Sequence, residues 1–241
     1  MVLIKYWGFS ASQPCRTVLY VLRSLGIEYE HHEIRPRLDT RAEWFMSINR
    51  FSGAPAIEYN GTKMIESVAI SRFLCSKYDQ EYMLFPKDEV ARQKVDALLD
   101  INACYLRPVF MNSYWDLKLS QICFNAPERD EEFTSTTFDS IKINLGHLDQ
   151  IVKSNKKNHS LENCTSLSGS NKTLADVQIY NEVYNVAYQL EINLKEDFPY
   201  LQEWYDSFQN DQLMKELDQE MIISFDNIIK MYKEILDKQE S

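Results

Sequence analysis

Ser12-Gln13-Pro14-Cys15-Arg16 is the stretch that decides how this chain is read. It follows a short apolar run, Leu3-Ile4-Lys5-Tyr6-Trp7, and opens a helical pattern carrying Val18, Leu22 and Leu25. Strand, tight turn, helix start: that order exposes a small polar side chain at a helix N-terminus. Backbone N–H groups there have no intrahelical partner, and the macrodipole places partial positive charge on them. An anion, a thiolate included, is stabilised at such a point. Ser12 is equally placed to act only as an N-cap, with Pro14 tolerated in the first turn. Arg16 puts a cation in the first turn, against the helix dipole, and so calls for an acidic neighbour that the local sequence does not supply.

Working outward, Leu3–Trp7 reads as a strand and Pro14–Leu25 as a helix stopped by Gly26. Glu28–Ile34 reads as a second strand with His31 and His32 on opposite faces, so the two cannot share a metal. Thr40-Arg41-Ala42-Glu43 fits a capping box and predicts a short helix through Phe45 and Ile48. Ala56–Tyr59 and Lys63–Ile65 flank Asn60-Gly61-Thr62, a hairpin signal with a loop of two or three residues. A helix from Ser67 to Lys77 closes the unit, with Val68, Phe73 and Leu74 as core positions. The order is βαβαββα over residues 1–80, an α/β module with a mixed sheet.

After Leu84-Phe85-Pro86-Lys87 the pattern turns helical throughout, predicting an all-α domain over residues 88–241. Asp88 caps a long helix through Val95, Leu98, Leu99 and Leu106 toward Trp115, with a kink expected at Pro108. Phe133, Thr137, Ile141, Leu145, Leu148 and Val152 share one face of a second helix. Residues 154–172, rich in Ser, Asn and Lys, read as a mobile surface loop. Thr173-Leu174-Ala175-Asp176 marks a further helix start with an acid at N3. Another helix follows Pro199, and Met221–Leu236 sets Phe225, Ile228, Ile229, Tyr232, Ile235 and Leu236 at helical spacing.

Composition excludes several classes of function. Of 241 residues 44% are hydrophobic, enough for two cores, and a net charge of −10 argues against nucleic acid or an anionic membrane as partner. No apolar run approaches the roughly 20 residues of a membrane span, and Lys5 interrupts what would be a signal peptide. Five cysteines, at 15, 75, 104, 123 and 164, form no disulfide framework, so a cytoplasmic location is expected. Asn-x-Ser/Thr at Asn60, Asn158, Asn163 and Asn171 then reads as chance. The four histidines have no metal-ligand spacing and no Gly-rich phosphate loop occurs.

Two further points carry chemistry. Ala54-Pro55 precedes a strand; a cis bond there would turn the Ala54 backbone outward as an edge on which a bound peptide can pair. An ordinary trans-proline in a loop is the other reading. Ser67 begins a helix and can bind a carboxylate, while Glu66 beside it can accept from an ammonium, so the pair suits an α-amino-acid end. A plain N-cap beside a surface acid is the alternative.

Taken in order, Ser12-Gln13-Pro14-Cys15-Arg16, Gly53-Ala54-Pro55-Ala56-Ile57 and Glu66-Ser67-Val68-Ala69-Ile70 resemble the N-terminal domain of cytosolic glutathione transferases, most closely the theta class. Phe85-Pro86-Lys87-Asp88, Ala91-Arg92, Val95-Asp96 and Thr173-Leu174-Ala175-Asp176 resemble that family's helical domain. The resemblance implies a thioredoxin-like domain that binds glutathione, and a helical domain that supplies the pocket for a small hydrophobic electrophile. It implies that Ser12 stabilises the glutathione thiolate, that Ala54 and Pro55 hold the cysteinyl part, and that Glu66 and Ser67 hold the γ-glutamyl end. It implies electrophile contacts at Arg107 and Trp115, a homodimer, and no cofactor beyond glutathione as co-substrate. The terminal helix would lie over the site, or only pack on the body. Thr40 and Gly53 stand where the family often has a histidine and a lysine for the glycyl carboxylate; Arg41 or Arg50 would have to substitute.

Ser12 stands where thioredoxin-like oxidoreductases carry their first cysteine, so a dithiol cycle is excluded at this motif and Cys15 is expected to pack as a small hydrophobe. The alternative to an enzyme is a non-catalytic binding protein of the same fold.

Overall fold

Ile4 and Tyr6 are fully buried on one face of β1 (Ile4–Gly8), the strand from which the sheet of the computed structural model is built. Residues 3–159, 166–169 and 171–240 are described; Asn163 and Cys164 lie outside them. β2 (Tyr29–Glu33) pairs parallel with β1, β3 (Ala56–Tyr59) pairs antiparallel with its other edge, and β4 (Thr62–Ile65) pairs antiparallel with β3. The resulting order is β2-β1-β3-β4. Helices α1 (Gln13–Ser24) and α3 (Ser67–Tyr78) pack together on the face that buries Ile4, Tyr6 and Ile57. Trp7, Ile34 and Ala56 bury against Phe45 of α2 (Glu43–Met46) on the other face. This is the thioredoxin-like βαβαββα module.

Local chemistry explains most of its turns. A side chain at Gly8 would collide with the Tyr6 ring tip, so the strand ends on glycine and swings toward Ser12. Tyr59 faces Thr62 across the hairpin, leaving a two-residue Asn60-Gly61 turn with φ of 50° and 76°, as a primed turn requires. His31 and His32 do point to opposite faces: the His31 ring nitrogen lies 3.3 Å from the Gly8 carbonyl, and His32 stacks on Trp7.

One helix start differs from expectation. Asp39–Arg41 forms a 3₁₀ turn, and α2 begins from an extended Ala42 with no side-chain cap. The Thr40 hydroxyl is instead the acceptor for the Arg37 N–H at 3.0 Å, so it closes the preceding loop rather than capping the helix.

The second part of the chain is helical. Asp88 caps α4 (Glu89–Ile101), accepting from the Ala91 N–H at 2.8 Å. The helix then runs on through a π turn (Asn102–Leu106), α5 (Arg107–Tyr114), a second π turn (Trp115–Leu119) and α6 (Ser120–Phe124). Pro108 therefore does not break the helix. The wider turn before it, in which the Arg107 N–H reaches back to the Asn102 carbonyl, accommodates a residue that lacks an N–H.

α7 (Glu131–His159) buries Ile141, Leu145, Leu148 and Val152, while Phe133 stays exposed at its start. It occupies the first third of the segment expected to be a surface loop. Ser166 and Leu167, later in that segment, are buried as well. The cause is Asp176 of α8 (Leu174–Gln189), which accepts from the backbone N–H groups of Thr173 (2.9 Å) and Leu167 (2.6 Å), the Ser166 hydroxyl (3.0 Å) and Trp204 Nε1 (3.0 Å). α8 is buried on nearly every side, against α1, α4 and α5. The chain closes with α9 (Leu194–Asp197), α10 (Pro199–Gln209) and α11 (Gln212–Glu240).

The two parts are tied through α1. Arg16, fully buried, pairs with Asp218 of α11 and lies under the Tyr184 ring, which supplies the acidic neighbour that its position demanded. Arg23 pairs with Glu220 at 2.6 Å, and the Asn181 amide donates to Thr17 Oγ1 at 2.9 Å. No helix among the described residues is long and apolar enough to cross a membrane.

Candidate active site

Ser12 occupies the N-cap position of α1 with extended backbone (φ −88°, ψ 124°), yet its hydroxyl makes no capping hydrogen bond. It is left to line a cavity of about 220 Å³ whose wall is mostly Phe9, Met111, Tyr114, Trp115, Phe124 and Phe225. Gln13 and Arg107 line the same cavity, and α11 closes it with Ile228 and Tyr232. The terminal helix thus both packs on the body and forms part of this wall. Ser10, the neighbouring hydroxyl, is buried and donates to Glu220 at 3.3 Å. Cys15 is fully buried; burial pushes its thiol up, opposed by the Ser12 hydroxyl and the Phe9 N–H. A buried thiol held neutral is a packing group rather than a nucleophile.

A second cavity, of about 330 Å³, is polar and gathers Gly53, Ala54, Pro55, Glu66 and Ser67 with Asn49, Asn102 and Gln178. The Ala54–Pro55 peptide is cis, and Ala54 stands just outside the β3 ladder that starts at Ala56. Asn49 Nδ2 donates to the Gly53 carbonyl at 2.7 Å and fixes that turn. Glu66 has φ of 69°, a left-handed conformation costly for a residue with a Cβ, and it precedes Ser67 at the first position of α3. Strain of about 1–3 kcal/mol at such a residue persists where the surroundings hold it, and it concentrates at ligand sites.

Arg107 lines both cavities. Its guanidinium pairs with Glu182 of α8, which is fully buried; burial pushes this carboxyl up, while the Arg107 charge pulls it down. Thr40, Arg41 and Arg50 line neither cavity, so no substitute cation for the glycyl end comes from that region.

Residues 7–82 match the family profile described as glutathione S-transferase, N-terminal domain, and residues 114–217 match glutathione S-transferase, C-terminal domain. The chain belongs to the glutathione transferase family. Among curated relatives, theta-1 glutathione S-transferase of Rattus norvegicus is 26% identical over 173 residues, 71% of this chain and 68% of that protein. Among solved structures, an epsilon-class enzyme of Musca domestica superposes with a TM-score of 0.78 at 23% identity, covering 96% of this chain and 97% of its own. A Drosophila mojavensis homologue with bound glutathione gives 0.78 at 19% identity, covering 97% and 98%. Glutathione transferases use glutathione as a co-substrate and need no resident cofactor.

For a glutathione transferase the arrangement is economical: one cavity offers backbone edges and polar ends, the other an apolar wall, and α1 points its N-terminus at Ser12 on the apolar side. Sequence reasoning missed Gln178, Asn102, Glu182, Arg37, Cys123 and Phe124. The π turns are the one local signal that singles out this region, since such turns recur at functional sites; the sequence hinted at them only through Pro108.

Proposed function

We propose that this chain is a theta-like transferase that joins the glutathione sulfur to small hydrophobic electrophiles. Ser12 donates a hydrogen bond that favours the thiolate. The observation that carries the proposal is the uncommitted Ser12 hydroxyl at the start of α1, opening on an apolar cavity beside the polar cavity of Ala54, Pro55, Glu66 and Ser67. A free thiol is mostly protonated at neutral pH, with a pKa of about 8.5, so a donor at a helix N-terminus raises the nucleophilic fraction. The tripeptide lies with its cysteinyl part against Ala54 and its γ-glutamyl end at Glu66 and Ser67. The electrophile sits against Arg107 and Trp115. A cavity of about 220 Å³ suits small substrates, being below the ~300 Å³ at which drug-sized pockets begin. In the reaction a C–S bond forms, the leaving group departs with its electron pair, and the thiol proton passes to solvent. The protein works as a cytosolic homodimer. Four unpaired described cysteines fit a reducing compartment, and exposed Phe51, 83% accessible beside the Ala54 turn, is an apolar side chain for a second copy to cover.

A non-catalytic binding role is the second reading, favoured by the commitment of Thr40 to the Arg37 backbone and by the absence of Arg41 and Arg50 from the cavity walls. Steady-state conjugation of glutathione to a panel of alkyl and aryl halides separates the two. Ser12→Ala should lose a charge-assisted bond of about 1.5–3 kcal/mol, or roughly 10–150-fold in kcat/KM, and raise the pH at which bound thiolate forms. Ser10→Ala should change little. Absence of both turnover and calorimetric glutathione binding establishes the second reading. Activity lost in Ser10→Ala and kept in Ser12→Ala overturns the assignment of the serine.

A further inference from the structure

Arg37 is a cation on the wall of the apolar cavity that nothing in the proposed reaction uses. Its guanidinium lies 4.3 Å from the Trp115 ring centre and 4.9 Å from that of Phe124. Its side chain has no ion-pair or hydrogen-bond partner among the described residues; its only recorded hydrogen bond is made by its backbone, to Thr40. The loop that carries it is tied on both sides. Tyr232 of α11 donates to the Pro36 carbonyl at 2.9 Å, the Thr40 hydroxyl accepts the Arg37 N–H, and Arg37 itself holds φ of 63°. Stacking uses the faces of a guanidinium and leaves its in-plane N–H donors free. The other cation of this wall, Arg107, is already neutralised by Glu182, and no carboxylate lines the cavity.

We propose that Arg37 reads an anionic group on the electrophile, so that the preferred substrates are small aromatic electrophiles bearing a carboxylate. A carboxylate matches the guanidinium fork with two parallel hydrogen bonds, while the ring takes the apolar wall. The substrate class rests on the glutathione reading above; the anion site itself does not. For 4-(chloromethyl)benzoate the glutathione sulfur forms a bond to the benzylic carbon, the C–Cl bond breaks, chloride leaves with both electrons, and the thiol proton goes to solvent.

The test has a binding arm free of glutathione and a turnover arm. Titration calorimetry of the full chain with 4-methylbenzoate and with its methyl ester should show about tenfold tighter binding of the carboxylate, the scale of one charge-assisted bond in a partly screened site. Arg37→Ala should abolish that preference and Arg37→Lys should keep part of it. With glutathione present, the kcat/KM ratio of 4-(chloromethyl)benzoate to its methyl ester should follow the same order across the three proteins. Equal affinity for the two ligands in the unaltered chain overturns the anion site, and so does a preference that survives Arg37→Ala, since it would belong to Arg107. A carboxylate preference in binding with no turnover of either halide upholds the Arg37 site and sinks the transferase reading alone.

Discussion

Removing the Arg16 guanidinium should loosen α11 from the rest of the molecule, and the size of the effect follows from burial. Arg16 is fully buried and Asp218 is 5% exposed, so neither charge can turn to water when the other is lost. Arg16→Met keeps much of the side-chain volume under Tyr184 and leaves Asp218 with only the Tyr180 hydroxyl (2.7 Å) and Gln209 Nε2 (3.2 Å) as donors. Breaking one side of a buried pair costs about 3–5 kcal/mol, whereas replacing both partners by apolar groups costs far less. With about 2.1 cal/mol/K of unfolding entropy per residue, a chain of 241 residues has about 0.5 kcal/mol/K, so the single variant should melt roughly 6–10 °C lower. Arg16→Met with Asp218→Leu should recover most of that loss. Burial raises the Asp218 carboxyl and the Arg16 charge opposes this, so the variant raises it further. A carboxyl raised on folding contributes stability below its unfolded value that is lost as pH rises through the folded value. The deficit of Arg16→Met should therefore be largest near neutrality and narrow as pH falls toward the ordinary 3.8. Calorimetric melts of the three variants over that pH range decide the matter. A single-variant cost below about 1 kcal/mol, or costs that simply add in the double variant, would refute the reasoning.

The same linkage applies to Glu182, whose carboxyl is raised chiefly by burial from an ordinary 4.5. The unaltered chain should lose stability relative to Glu182→Gln as pH climbs above that value, because glutamine has no proton to release; a difference in urea midpoint that is flat with pH would contradict this. Cysteine reactivity should be selective in the native chain. Exposed Cys104 should take a thiol reagent readily, while Cys15, fully buried, and Cys75, buried and pushed up to about 12, should label only on unfolding, as peptide mapping would show.

Much of the fold was legible because its signals are local. Strand alternation, Asn60-Gly61, Asp88 and the Thr173–Asp176 box each report on neighbours within a few residues, and each takes the expected structure. Thr40 misled because a Thr-x-x-Glu spacing says nothing about which N–H the hydroxyl will meet; the Arg37 turn reached it first. The segment at 166–168 has the composition of a loop but is buried by a carboxylate eight to ten residues later. For the site, the residues near chain turns were legible and those brought in by packing were not. Arg16 needed an acid that lies 202 residues away, and Arg37 meets its aromatic partners only after the two parts of the chain close on each other.

The two π turns in the helix from Glu89 to Phe124 give that helix a phase of its own. Each lodges one residue more than an α turn, and one residue corresponds to about 100° of rotation about the axis. Deleting a single residue between Asn102 and Leu106 would let the helix relax to regular α geometry, yet everything beyond would be turned by that angle unless another turn compensated. Arg107, Tyr114 and Trp115 would then no longer face the cavity as a group. Substitutions along this stretch change the lining of the pocket one side chain at a time, whereas a change in its length re-aims the whole wall. Related chains that keep the pocket should therefore vary here in residue type and hold the residue count constant.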